Sequence, residues 1–235
     1  MSEVAPDREM TILEHLRELR TRLIVSGIGI GIGMTISAVF LTWPVIKLLS
    51  EPSGLTLVAL RPTETFVTYF KVAMVTGAAL AMPVIVWQTL LFVLPALHAH
   101  EKRWVYIAVP FITIAFAAGL AFGFFIVIPS AVRFLGGFGG DTIQQFWSIE
   151  EYLTFITTLL FWIGLSFETP IAIFFLAKLG IVNPRGLGRF RRYAIVGAFA
   201  IAAIITPTPD PFNQTLVAIP MYLLYELGVL LARFA

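Results

Sequence analysis

The sequence predicts an all-α integral membrane protein: a single transmembrane domain over 1–235, with six helices in a curved, concave bundle and both termini cytoplasmic. Two observations lead there. The 235 residues are 58% hydrophobic and 13% charged, with mean hydropathy +0.90 and 21 Phe. That exceeds the apolar surface a soluble domain of this size can bury, so lipid must be part of the solvent. The Lys and Arg residues are also unevenly placed. Of 16, twelve lie in the N-terminal tail (Arg8, Arg17, Arg20, Arg22), two gaps between apolar segments (Lys102, Arg103; Lys178, Arg185, Arg189, Arg191, Arg192) and the far end (Arg233). Only Lys47, Arg61, Lys71 and Arg133 remain for the other gaps. Short basic connections stay on the cytoplasmic side, which orients the chain. His15, His98 and His100 fall on that inner side too.

The spans are expected at 23–43, 72–94, 105–128, 152–176, 194–206 and 216–231, each an apolar run that only a helix can carry through a bilayer. Thr11 with Glu14 has the form of a capping box, so an interfacial helix should start just before Ile12 and run into the first span. The first run is too long for a signal sequence and has no convincing cleavage site, so it is read as retained. Trp43, Trp104 and Trp147 sit near expected boundaries, where an indole prefers the head-group zone. Pro83, Pro110, Pro170 and Pro220 each remove a helical hydrogen bond and should bend the rods. Gly27 with Gly31 and Gly29 with Gly33 give two small-xxx-small faces on the first span, for which ordinary packing is the expected use.

The last two runs are short. Thirteen residues at 194–206 reach about 20 Å and sixteen at 216–231 about 24 Å, against a hydrocarbon core of about 30 Å. Either this hairpin thins the bilayer beside it, or the turn at 206–215 dips inward. Gly136, Gly137, Gly139 and Gly140 make a loop without the Lys-Ser of a phosphate cradle. There is no internal repeat.

Composition also excludes function classes. No Cys is present, so disulfides, thiolate zinc and thiol catalysis are out. The net charge of +2 and pI near 9.0 come from basic clusters suited to anionic lipid head groups, not nucleic acid. His98, His100 and Glu101 do not share a helical face and lack companion ligands, so no metal site is expected. No nucleophile motif or paired catalytic acid occurs, and neither enzymatic activity nor a cofactor is expected.

Three carboxylates stand where charge is costly. Glu168 lies deep in the fourth span between Phe167 and Pro170, with no Lys or Arg within a turn. An intramembrane acid is a functional candidate unless a neighbouring helix satisfies it in the protonated form. Glu18 and Glu101 lie in basic segments at the inner border, and a carboxylate there is a good receptor for a guanidinium. A local pair of Glu18 with Arg22 is the plainer reading of the same spacing.

Taken together, the blocks His15-Leu16-Arg17-Glu18-Leu19-Arg20-Thr21-Arg22-Leu23, Pro95-Ala96-Leu97 with His100-Glu101-Lys102-Arg103, Ser166-Phe167-Glu168-Thr169-Pro170 and Asp210 with Gln214-Thr215-Leu216 and Ala218-Ile219-Pro220-Met221-Tyr222 closely resemble TatC, the multispanning receptor of the twin-arginine translocase. Pro62-Thr63-Glu64, Phe66 and Lys71 also match the family's first outer loop. The resemblance runs from about Thr11 to Phe234. It implies a receptor in the prokaryotic cytoplasmic membrane that binds the paired arginines of signal peptides on folded substrates, works with the single-span proteins TatA and TatB, self-associates and draws on the proton-motive force. It further implies that Glu18 and Glu101 receive the arginines, that Phe92 and His100 shape the pocket, that Arg20 helps hold the tail, and that Glu168 engages partner helices or the inserted peptide. Pro52, Phe66, Asp210 and Gln214 are further outer-loop candidates. His98 stands where the family commonly has Tyr, and the turn at Thr208 is one residue longer than usual, which leaves the role of Asp210 open. A proton-coupled small-molecule transporter is the alternative from another class, although it calls for polar groups converging from several spans. A purely structural scaffold is a third, and it requires no dependence on the inner-face acids.

Overall fold

The computed structural model describes residues 12–54, 57–94, 102–137, 146–206 and 211–234. Thr11 lies outside them. The first helix outruns the apolar segment that predicts it: α1 (Ile12–Ile36) passes through a π turn at Ser37–Leu41 into α2 (Thr42–Ser50). Tail helix and first span are thus one rod, and the rod does not end at Trp43. Its extra turns continue because Ile46 and Leu49 are buried in the main core. A second long rod repeats the construction, with α5 (Lys102–Phe122), a π turn at Gly123–Val127 and α6 (Ile128–Gly137). Each π turn contains the residue four before a proline: Phe40 before Pro44, and Phe125 before Pro129. A proline cannot donate to that carbonyl, so the α ladder is interrupted there and the wider turn absorbs the gap.

The second span also differs from its expected bounds. α3 (Glu64–Leu80) and α4 (Met82–Val93) meet at Ala81 with a bend of 51°. Pro83 sits in the first turn of α4, where a missing N–H costs nothing. The helices run on through Pro110, Pro170 and Pro220. α7 (Ile149–Lys178), 30 residues and about 45 Å long, is the central mast and packs against α5, α10 and α3. After the short α8 (Pro184–Arg189) come α9 (Arg191–Ile205) and α10 (Pro211–Leu231). With 15 residues and about 22 Å, α9 falls short of a bilayer. The sixth helix does not: α10 has 21 residues, about 32 Å, because it starts on Pro211, a favoured first helical residue, five positions before the apolar run. Among the described residues four helices are individually long and apolar enough to cross a membrane, and the bent α3–α4 pair, taken as one span, makes a fifth.

Two apolar cores hold the bundle. The larger joins Val72, Ile128, Leu153, Ile156 and Ile163 to Ala202 and Val217; the smaller joins Met82, Val86, Ala108, Ile112, Phe116 and Phe175. One end of the bundle is closed by a polar cap. There β1 (Leu57–Val58) pairs in parallel with β2 (Trp147–Ser148). Glu64, the first residue of α3 and two turns ahead of the apolar span at 72–93, is almost fully buried among donors. Its Oε2 accepts the amides of Leu60 (2.7 Å) and Arg61 (3.0 Å), and its Oε1 accepts the Glu150 amide (3.1 Å) and the Ser148 hydroxyl. The Ser148 hydroxyl, then the Glu150 amide with those of Leu60 and Arg61, hold this carboxyl at about 2, well below the usual carboxylate range, against the upward push of burial. Lys71 adds an ion pair to Glu150 at 2.6 Å.

Candidate functional site

At the other, basic end, α1 lies against α3 and α4. Glycine permits the close approach. A Cβ on Gly33 would stand 2.4 Å from the Gly77 carbonyl oxygen, and one on Gly77 would stand 2.4 Å from the Met34 backbone. Of the two small-xxx-small faces, Gly29 and Gly33 are therefore spent on α3 and α4, whereas nothing lies within 4 Å of a Cβ at Gly27 or Gly31.

That approach sets the side chains near the start of α1 against α4. Arg22 Nη2 donates to Glu18 Oε1 at 3.1 Å, and Arg22 Nη1 donates to Gln88 Oε1 at 3.2 Å. Beside them His15 stacks on Phe92, ring centroids 4.3 Å apart. The Glu18 side chain is 14% exposed, that of Arg22 29%, and Gln88 is buried. The pair is only half made, because Glu18 Oε2 and Arg22 Nε are both buried with no partner among the described residues. A buried carboxylate oxygen with no donor is an acceptor held ready, and a guanidinium is the side chain whose planar fork fits it best. Thus the Glu18–Arg22 pair that the spacing allows does form, and it leaves one carboxylate oxygen over.

Glu168 stands 19 residues into α7, about 28 Å from its start. It is half-buried, and its Oε1 is buried without a partner among the described residues. Ser166 turns its hydroxyl to the Trp162 carbonyl, not to Glu168. The remaining sequence candidates scatter. Arg20 is exposed; Pro52 lies in a 3-10 turn at Glu51–Ser53. Phe66 and Gln214 are not loop residues: each falls in the first turn of a helix, α3 and α10, with Phe66 68% exposed and Gln214 Nε2 bonded to the Phe199 carbonyl at 3.0 Å. His100, Glu101 and Asp210 lie outside the described residues. Among the described residues no group of three or more His, Asp or Glu converges to hold a metal.

Residues 14–220 match the family model described as Sec-independent protein translocase protein (TatC). The chain belongs to the TatC family. TatC of Carboxydothermus hydrogenoformans is 39% identical over 230 residues, covering 97% of this chain and 95% of that one. TatC of Aquifex aeolicus is 39% identical, with 96% of each covered, and that of Escherichia coli K12 is 37% identical, with 95% and 88% covered. A crystal structure of the twin arginine translocase receptor TatC superposes with a TM-score of 0.85 at 39% identity, covering 94% of this chain and 99% of that chain. The TatC fold thus extends over nearly every element described above.

Two groups escape a reading of the sequence for function. Gln88 is one, and its signal is a lone amide in the otherwise apolar run of α4, where a polar side chain needs a partner. Glu64 as the keystone of the cap is the other. Ser148 followed three residues later by Glu151 is the available clue, since it marks the start of α7 and hence the donors Glu64 meets.

Proposed function

We propose that this protein is the signal-peptide receptor and core subunit of a twin-arginine translocase in a prokaryotic cytoplasmic membrane. It spans the membrane six times, α9 included, with both ends inside. Glu18 and Glu101 receive the two guanidinium groups of the signal peptide, Phe92 and His100 border the pocket, and Arg20 steadies the tail. TatA and TatB assemble on the bound receptor, a further copy of this chain self-associates with it, and the proton-motive force drives transport. The observation that carries the reading is the buried Glu18 Oε2, without a partner among the described residues, at the basic end of a TatC-family bundle. Glu168 is proposed as the polar contact for a partner helix or the inserted peptide within the membrane. The transporter alternative has no support from the TatC relatives, and the polar groups it requires do not converge on Glu168 among the described residues.

The test is equilibrium binding of a labelled twin-arginine signal peptide to the purified protein. Glu18→Gln removes a charge-assisted hydrogen bond, about 1.5–3 kcal/mol, and should weaken binding by about one to two orders of magnitude. Glu101→Gln should act similarly. Unchanged affinity in both variants would refute the receptor assignment.

A further inference from the structure

Arg22 is itself a guanidinium, placed on the very carboxylate that awaits one. Resting on the receptor reading above, we infer that Arg22 is an internal occupant of the Glu18 site: it holds the carboxylate in the empty receptor and gives way when a substrate arginine arrives.

Three features of the geometry support a displaceable occupant. First, Arg22 touches Glu18 through one nitrogen and one oxygen only, at 3.1 Å, so the two-bonded fork that makes arginine–carboxylate pairs strong is not formed. Glu18 Oε2 and Arg22 Nε, the atoms a full fork would use, are buried and unmatched among the described residues. Secondly, Arg22 has a second anchor. Its Nη1 already donates to Gln88 Oε1 at 3.2 Å, so on leaving Glu18 it stays tied to α4 by a hydrogen bond, although the amide does not neutralise its charge. Thirdly, the position is built into the helix. Arg22 lies four residues after Glu18 on α1, the favoured order for such a pair, so it returns to the carboxylate whenever the site empties. An incoming guanidinium that engages both oxygens exchanges one bond for two. A lysine ammonium, a single point of charge, gains less from the exchange. Arg22 therefore acts through Glu18 as a positioning and threshold-setting residue: it keeps the acid aligned and screened, and it raises the affinity a ligand needs.

The inference predicts a change opposite in sign to damage. A labelled Arg-Arg signal peptide is titrated onto the full-length protein in detergent, with its Lys-Lys counterpart in parallel. Arg22→Met should tighten Arg-Arg binding by about two- to fivefold, the range of a partly exposed i,i+4 ion pair. Arg22→Gln, which keeps a donor for Gln88, should tighten it equally and serves if the Met variant does not fold. Arg17→Met removes the same charge from an exposed position on α1 and should change affinity less. In a Glu18→Gln background, Arg22→Met should give no tightening. Weaker or unchanged binding in the Arg22 variants, equal tightening by Arg17→Met, or tightening that persists without Glu18 would each overturn the inference while leaving the receptor reading intact. If Glu18→Gln alone binds as the parent does, the inference fails at its premise; if Glu101→Gln does so too, the receptor reading fails with it.

Discussion

Replacing Gly77 by Ala adds one methyl group where the backbones of α1 and α3 leave none to spare. The new Cβ would lie 2.4 Å from both the Met34 Cα and the Met34 N, and 2.8 Å from the Gly33 carbonyl carbon. All three are backbone atoms, so no side chain can swing aside and α1 itself must back away by roughly an ångström to reach ordinary van der Waals contact. Overpacking of this kind costs about 1–3 kcal/mol. In a chain of this length that lowers the melting temperature by about 2–12 °C, read from tryptophan fluorescence of the protein in detergent. The loss should carry over to the site, because moving α1 from α3 and α4 lengthens the Arg22–Gln88 contact and parts His15 from Phe92. Gly27→Ala and Gly31→Ala are the controls: each Cβ enters open space, and each change gains about 0.5–1 kcal/mol of helix propensity. A Gly77→Ala protein that melts with the parent, or Gly27→Ala and Gly31→Ala proteins destabilised as much as Gly77→Ala, would refute the packing that positions Glu18.

Other predictions concern the remaining carboxylates. Glu168→Ala should keep the fold, because it removes an acceptor whose Oε1 has no partner among the described residues, yet abolish export in cells; full export by that variant would end the intramembrane reading. Glu64 is held at about 2 from an ordinary 4.5, so its contribution to cap stability is complete above 4.5 and disappears as pH falls from there toward 2. Trp147 fluorescence should report an acid transition in that window that Glu64→Gln lacks, and identical acid profiles would contradict the four-donor cage. Arg191, half exposed and 2.8 Å from Glu226, should cost less than about 1 kcal/mol on change to Gln, visible as a melting shift of no more than about 4 °C.

Hydropathy made the membrane bundle legible because long apolar runs have few other homes, and the central mast at α7 was placed within about three residues at each end. The departures have a common cause. At α2, α6 and the start of α3 the helices continue past the apolar runs expected at 23–43, 105–128 and 72–94, held by Ile46, Leu49, Val132 and the Glu64 cage, and such ends carry no continuous apolar run to detect. Likewise α10 begins at Pro211 among polar residues that its apolar count omits. In the site, Glu18 with Arg22 was readable from spacing along one helix. Gln88 was not tied to them, and Phe92 only through the family resemblance, because their meeting depends on the glycine contact of α1 with α3, 66 residues separating Arg22 from Gln88.

The account turns on acids that accept guanidinium groups. Its most direct test is photocrosslinking from position 15, beside Phe92, to a twin-arginine signal peptide, run against the twin-lysine peptide and with Glu18→Gln. The account expects strong crosslinking to the Arg-Arg peptide alone, greatly reduced by Glu18→Gln. Equal labelling of both peptides, or labelling indifferent to Glu18, would contradict it.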